Sequence, residues 1–543
     1  MRAVGIVLGS VALAAFVATV AERLRTPAPS LLVVAGLAVG LLPGVPAIVV
    51  SPEIVSLVVL PPLLFAAASD LSPPELRAVL RPVVALAVGL VAVSAFVVAL
   101  VVRLLLPQVP FSAALVLGAV LASTDPVAVS ALARRLQLPP RLLTLVQAES
   151  LFNDATSLVL FRVAVTASVA AGAVGPLNVA GQFVWLGGAG ALAGLVVALV
   201  IERLRRRTED AVLETLMALM TPYAAFVLAE LVHASGVTAV VAAGLWLGGR
   251  SVLLSSGPVR LQVDTVYAVL VFILESVVFA VIGLQFPGLV AELAPEDAGF
   301  VLVALAVTAA LLVTRVAFLA PLAFQPRLSR PAGSRREPAG PPPWRSVAVV
   351  WWAGARGVVP LAAALSIPLT VDGGGAFPER DLLLALATSC IIITLVVQGF
   401  TLQPLVRRLG VAEDPARTAR EDAVARHAAA VAARARLLEL LDVEAVPPAV
   451  ADRLLATLDL RIERTGRRLE RTQGEAEARL SRAEQDGIAS AGQVYRTLRR
   501  DLLAVETAEL LRLRDAGTIG EDVRRRVQRT LDLEEAGLAD EGP

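Results

Sequence analysis

Leu121-Ala-Ser-Thr-Asp-Pro-Val127 puts a carboxylate and a proline inside an apolar run, and Glu149-Ser-Leu-Phe-Asn-Asp154 puts two more carboxylates inside the next one. A charge at bilayer depth is costly, so such a residue usually faces the bundle interior or a watery cavity and marks an ion or proton path. The two stretches point to a transporter if the sequence around them crosses a membrane.

Composition supports that condition. Hydrophobic residues make up 57% of the 543 and charged residues 17%, with a mean hydropathy of +0.75. Soluble domains average roughly 45–50% apolar. A hydrocarbon core of about 30 Å takes roughly 20 helical residues. About thirteen such runs recur, at 3–22, 29–47, 52–68, 82–106, 111–133, 143–172, 178–201, 211–232, 235–249, 264–286, 298–324, 346–369 and 381–406. The first can also be read as a signal peptide, with Arg2 as its basic start and Ala18-Thr-Val-Ala21 as a cleavage site, which leaves twelve.

Orientation follows from arginine, because the chain has no lysine and all 48 basic residues are Arg. Alternate loops carry Arg23 and Arg25, Arg77 and Arg81, Arg134, Arg135 and Arg141, Arg203 to Arg207, Arg250 and Arg260, and Arg327 to Arg345, whereas the intervening loops hold only Arg103 and Arg380. The positive-inside rule makes the crowded face cytoplasmic, with the N-terminus outside and the C-terminus inside. From about residue 410 onward, charges alternate in sign beside a helical apolar stripe such as Leu437, Leu438, Leu440 and Leu441. This reads as a cytoplasmic tail of three or four helices, divided at Pro447-Pro448, Gly487 and Gly517. The single cysteine, Cys390, excludes an intramolecular disulfide.

Thirteen spans split as six, a linker and six form an inverted repeat, a design that places discontinuous helices in matching positions of its halves. The fifth span carries Ser123-Thr-Asp-Pro126, and its counterpart, the twelfth, carries Gly354-Ala-Arg-Gly357-Val-Val-Pro360. Proline lacks an N–H and glycine tolerates unusual backbone angles, so both helices are expected to unwind in mid-membrane and free carbonyls for cations.

Asp125 lies about nine residues from the cytoplasmic end of its span and Asp154 about twelve from the start of the next. At about 1.5 Å per residue both reach the midplane. Ser150 precedes Asp154 by one turn on the same face. Thr124, Asp125, Ser150 and Asp154 thus make an oxygen-rich set suited to a hard monovalent cation, and no cysteine or histidine pattern suggests zinc, copper or iron. Nor does any nucleophile–base pair suggest an enzyme.

Arg315 and Arg356 also sit within apolar runs and are expected to take acidic partners, with Glu149 and Glu275 as candidates. Glu230 is placed at the aqueous entrance. Structural roles stand beside these: Asp125 as a helix cap, Arg315 snorkelling to the cytoplasmic face, Arg356 as packing glue, and Glu230 and Glu275 in interhelical hydrogen bonds.

Together, Leu60-Pro-Pro-Leu-Leu-Phe65, Ser123 to Val129, Glu149 to Asp154, Ala229-Glu-Leu-Val-His-Ala-Ser-Gly236, Glu275 to Gly283 and Gly354 to Gly357 resemble the successive signatures of the monovalent cation/proton antiporter family. That family includes bacterial sodium/proton antiporters and animal sodium/proton exchangers, and the resemblance spans residues 1–408. It implies Asp154 as the shared cation and proton carrier, with Asp125, Ser150 and the Thr124 carbonyl as further ligands of sodium. It also implies that Asn153 holds the broken helix, that Arg315 pairs with Glu149, and that Arg356 stabilises the crossing of spans five and twelve.

The Asn153-Asp154 pair resembles that of the electroneutral branch. The implied fold is all-α, with a dimerisation part (about 1–68 and 211–286), a core part that moves against it (about 82–172 and 298–406), and a regulatory tail (409–543). The expected activity is 1:1 exchange of sodium, or lithium, for protons by an elevator-type motion. It would run without a cofactor, as a homodimer in a bacterial inner membrane. A potassium or mixed-cation exchanger is the alternative on the same scaffold, and a cation channel is a more distant one.

Overall fold

The computed structural model describes residues 27–43, 55–125, 138–169, 176–208, 210–291, 299–323, 343–371, 375–411, 415–442, 447–471 and 491–540, together with 16, 17, 19–21, 23 and 293. Most of the first expected span lies outside the described residues. Among these residues every regular element is a helix, apart from one isolated antiparallel bridge between Thr370 and Ala376.

The helices follow the apolar runs. They are α1 (Ala28–Gly40), α2 (Leu60–Ser69), α3 (Pro73–Leu105), α4 (Phe111–Ala122), α5 (Pro140–Val169), α6 (Pro176–Arg205) and α7 (Ala211–Leu231). Then come α8 (Gly236–Gly248), α9 (Gly257–Ala291), α10 (Phe300–Ala323), α11 (Pro343–Trp352), α12 (Val358–Leu365) and α13 (Arg380–Leu409). Six of them, α3, α6, α7, α9, α10 and α13, are long and apolar enough to cross a membrane. Helix α5 is as long, at 30 residues, but carries Glu149, Asp154 and Arg162 along its length.

Local chemistry sets several boundaries. The Asp210 carboxylate caps α7 by accepting from the N–H groups of Val212 and Leu213, and the Ser235 hydroxyl caps α8 by accepting from Thr238. Helix α3 starts with Pro73 and Pro74, where a missing N–H costs nothing. Helix α13 stops at Gly410, which adopts φ +60.

The chain groups into two compact units. In the first, which holds the apolar helices, one buried cluster joins α3, α4, α5, α10, α12 and α13 through residues such as Val98, Leu117, Phe161, Leu311, Ala363 and Leu386. Helices α1 and α9 meet backbone to backbone. A Cβ at Gly36 would lie 2.1 Å from the Ala280 carbonyl oxygen, and one at Gly283 would lie 2.1 Å from that of Val33. Small residues allow such approach where lipid offers no hydrophobic drive for helix association.

The second unit contains Ser251–Asp264 and Glu413–Pro543. Its tail has four described helices, α14 (Pro415–Asp442), α15 (Pro448–Arg471), α16 (Ala491–Asp515) and α17 (Glu521–Asp540). Ala429, Leu503, Leu510 and Val527 form one core and Leu437, Leu454, Leu458 and Leu502 another. Glu506 is fully buried and pairs with both Arg461, at 2.8 Å, and Arg499, at 2.9 Å. Within this unit the Gly257 N–H donates to Glu535 at 2.8 Å, and Arg260 pairs with Asp532. On α17, burial raises the Glu521 carboxyl, but Arg524 and Arg525 outweigh it and hold the group below its ordinary range. Of the expected divisions, Pro447 precedes α15 and Pro448 opens it, and Gly517 makes a turn at φ +70, while Gly487 lies outside the described residues.

Candidate cation and proton site

Helix α4 ends at Ala122, and Ser123 turns to an extended conformation, φ −70 and ψ 148. The cause is local: the ring of Pro126 disfavours helical backbone at Asp125. Thr124 and Asp125 are therefore non-helical. On the other side, residues 353–357 separate α11 from α12. The two breaks bond to each other, with the Asp125 N–H donating to the Ala355 carbonyl at 2.7 Å. Gly357 sits against the Asp125 side chain so closely that a Cβ there would fall 1.5 Å from Oδ2.

Helix α5 runs past this crossing and presents Ser150, Asn153 and Asp154 to it. The Asn153 amide donates to Thr124 Oγ1 at 2.7 Å, and its carbonyl accepts from the Thr124 N–H at 3.3 Å. The Ser150 hydroxyl donates to the Thr124 carbonyl. The Ser123 hydroxyl donates to Asp154 Oδ1. All six side chains are buried; Asp125 is 9% exposed and Asp154 6%. The two carboxylates lie near enough for their charges to interact. Carboxylate, hydroxyl and carbonyl oxygens thus converge on one place. This donor set fits a hard cation, and among the described residues no three His, Cys, Asp or Glu side chains gather as a metal-binding group.

Arg315 and Glu149 form a two-pronged pair beside the site, with Nη2 donating to Oε2 at 2.9 Å and Nη1 to Oε1. They are 2% and 1% exposed, and Arg315 also donates to the Val350 carbonyl at 3.0 Å. The expectation that Arg356 also takes an acid is corrected. Its Nε donates to the Leu121 carbonyl at 3.2 Å and its Nη1 to the Gly354 carbonyl, while its N–H donates to Thr394 Oγ1 at 3.2 Å. Broken helices leave carbonyls without intrahelical donors, and these take the place of a carboxylate.

Glu275, on α9, bonds to neither arginine. Its carboxylate is near enough to Asp125 to feel that charge. Glu230 lines an open cavity of about 310 Å³ with Leu57, Phe226 and His233, but it is also paired with Arg162 of α5. Arg162 was not singled out by the sequence reading, although a guanidinium two turns beyond Asp154 in an apolar run was a visible signal. It donates further to the Ala234 carbonyl at 3.3 Å and lines a second cavity of about 600 Å³ with Phe161, Thr166, Trp185 and His233.

A helix end and a helix break that meet at a buried acidic centre inside a bundle of apolar helices fit the architecture of a secondary ion transporter. Residues 11–408 match the family described as sodium/hydrogen exchanger, transmembrane. Over an alignment 555 positions long, the chain is 35% identical to an uncharacterized Na+/H+ exchanger of Mycobacterium tuberculosis, covering 99% of this chain and 97% of that one. It is 31% identical to a Na+/H+ antiporter of Aphanothece halophytica, covering 79% and 78% of the two chains. It is also 34% identical to a sodium, potassium, lithium and rubidium/H+ antiporter of Bacillus subtilis, covering 62% of this chain and 51% of that one. Its fold is similar to that of the sodium proton antiporter MjNhaP1 of Methanocaldococcus jannaschii, with a TM-score of 0.58 and 20% identity over 76% of this chain and 99% of that one. The chain belongs to the sodium/hydrogen exchanger family, a family of multi-pass membrane antiporters rather than enzymes.

Proposed function

We propose that the protein exchanges sodium, or lithium, for protons with a 1:1 stoichiometry, and that Asp154 carries either ion in turn. The observation that carries this reading is the buried Asp154 carboxylate on an unbroken helix, accepting from Ser123 where α4 ends and lying beside the Thr124 and Ser150 oxygens. A carboxylate in such a place is stable with a proton or with a cation, and only those two forms cross the membrane. Asp125, Ser150 and the Thr124 carbonyl complete the cation's shell, Asn153 fastens the break in α4, and Arg315–Glu149 and Arg356 brace the crossing.

The apolar cluster that joins α3, α4, α5, α10, α12 and α13 supports a core that moves as one body, about 82–172 and 298–406, against a dimerising scaffold of about 1–68 and 211–286. The arginine-rich loops support a cytoplasmic tail, 409–543, with the N-terminus outside, in a bacterial cell membrane. A potassium or mixed-cation exchanger is a second reading, favoured by the 34% identity to the Bacillus subtilis antiporter of four alkali cations.

The test is Asp154→Asn in proteoliposomes, with sodium, lithium and potassium compared on the unmodified protein. Asn cannot alternate between proton and cation, so exchange is expected to vanish while the protein stays folded. Near-normal exchange by this variant overturns the assignment.

A further inference from the structure

We propose that the Gln398 amide is a further ligand of the transported alkali cation, holding it with part of its water on the way between the crossing and the face where α13 ends. The proposal rests on the reading of the crossing as the cation site and adds a residue to its approach. Gln398 lies on α13 and is 3% exposed, yet neither its Oε1 nor its Nε2 has a hydrogen-bond partner among the described residues. No other buried side chain among them leaves two polar atoms unpaired. An amide carries an acceptor oxygen and two donor hydrogens, and burying them unpaired is costly.

Its place on the helix shows what it faces. At about 100° per residue, Gln398 lies between the position of Thr394, one turn earlier, and those of Leu395 and Gly399. Thr394 touches the crossing: its Oγ1 accepts from the Arg356 N–H at 3.2 Å, and the adjacent Ala355 carbonyl accepts from Asp125 at 2.7 Å. On the other flank, Ser30 of α1 donates to the Leu395 carbonyl at 2.7 Å, and a Cβ on Gly399 would fall 2.0 Å from Ser30 Oγ. Gln398 therefore points between the 353–357 break and α1, into the seam between the proposed core and the proposed scaffold.

The hydroxyls around it are committed elsewhere. Thr394 donates to the Cys390 carbonyl at 2.8 Å, Ser30 to Leu395, and Thr401 to the Val397 carbonyl while accepting from Trp352. An apolar side chain of the same length would fill this place without leaving polar atoms unpaired. The amide is thus suited to a partner that the chain does not itself supply. A side-chain amide oxygen is a hard ligand, like the oxygens of Thr124, Ser150 and Asp154. Its N–H groups can hold a water that the ion retains.

The experiment uses full-length protein in vesicles, with sodium presented first to the face from which protease can cleave the tail and then to the other. It compares the unmodified chain with Gln398→Met, Gln398→Asn and Asp154→Asn, and follows the thermal unfolding of each in sodium-free buffer. Gln398→Met keeps the length and flexibility of the side chain but has no amide. Its apparent KM for sodium at the tail face is expected to rise about tenfold, equivalent to about 1.4 kcal/mol. The KM at the opposite face should be kept, and the melting temperature should be equal or higher. Gln398→Asn keeps the amide on a shorter arm and should fall between.

An unchanged KM at the tail face refutes the proposal and leaves the amide to a bound water. A KM raised equally at both faces, or a lowered melting temperature in Gln398→Met, also refutes it, because a side chain that only holds helices together gives those. Exchange that persists in Asp154→Asn removes the carrier reading and this proposal with it. An inactive Asp154→Asn beside an unaltered Gln398→Met removes this proposal only.

Discussion

Gly357→Ala tests the crossing most directly. The added methyl would lie 1.5 Å from Asp125 Oδ2, 2.3 Å from its Cγ and 2.6 Å from its Cβ. Ordinary contact begins near 3.5 Å, so the carboxylate oxygen is about 2 Å too close. Rotation of the Asp125 side chain relieves the oxygen but not the Cβ, which still overlaps by about 1 Å. The two breaks must therefore part, which stretches the 2.7 Å bond from the Asp125 N–H to Ala355. Overpacking of this kind costs about 1–3 kcal/mol of stability.

On the proposed assignment of Asp125 as a cation ligand, displacing it removes an interaction of about 1.5–3 kcal/mol, a loss of roughly ten- to a hundredfold in affinity. Proteoliposome exchange gives the KM for sodium, and thermal unfolding of the purified protein gives the stability. Gly187→Ala and Gly288→Ala are the controls, since a Cβ at either glycine meets nothing within 4 Å. A Gly357→Ala protein with the KM and melting temperature of the unmodified chain would refute the account of the crossing.

Glu149→Gln leaves Arg315 buried with its charge uncompensated and is expected to cost about 3–5 kcal/mol, whereas Glu149→Leu combined with Arg315→Leu should cost far less; equal losses in unfolding experiments would contradict a buried pair. In ion-tight vesicles a sodium gradient should build no steady potential, because one net charge moved across 100 mV is worth about 2.3 kcal/mol and would be plain to see. Removal of the tail after about residue 410 is expected to spare exchange while moving the pH at which it switches on, and superimposable pH profiles for matched full-length and truncated protein would exclude a regulatory role.

The sequence by itself determined the class of this protein. Long apolar runs, proline before or within a helix, and carboxylates inside apolar runs are local properties, and each acts on the backbone or the solvent through its own few residues. The non-helical stretches at 123–125 and 353–357 were legible for that reason. Which side chain meets which was left to the tertiary structure. Arg356 ends on the carbonyls of Leu121 and Gly354 rather than on an acid, Glu230 is held by Arg162, and Ser123 turns to Asp154. Each of these depends on the rotation of one helix about its axis and on the place where it crosses another. Spacing along a single chain segment carries no information about either, because helices of equal hydropathy pack equally well in many rotations until the buried polar groups find their partners.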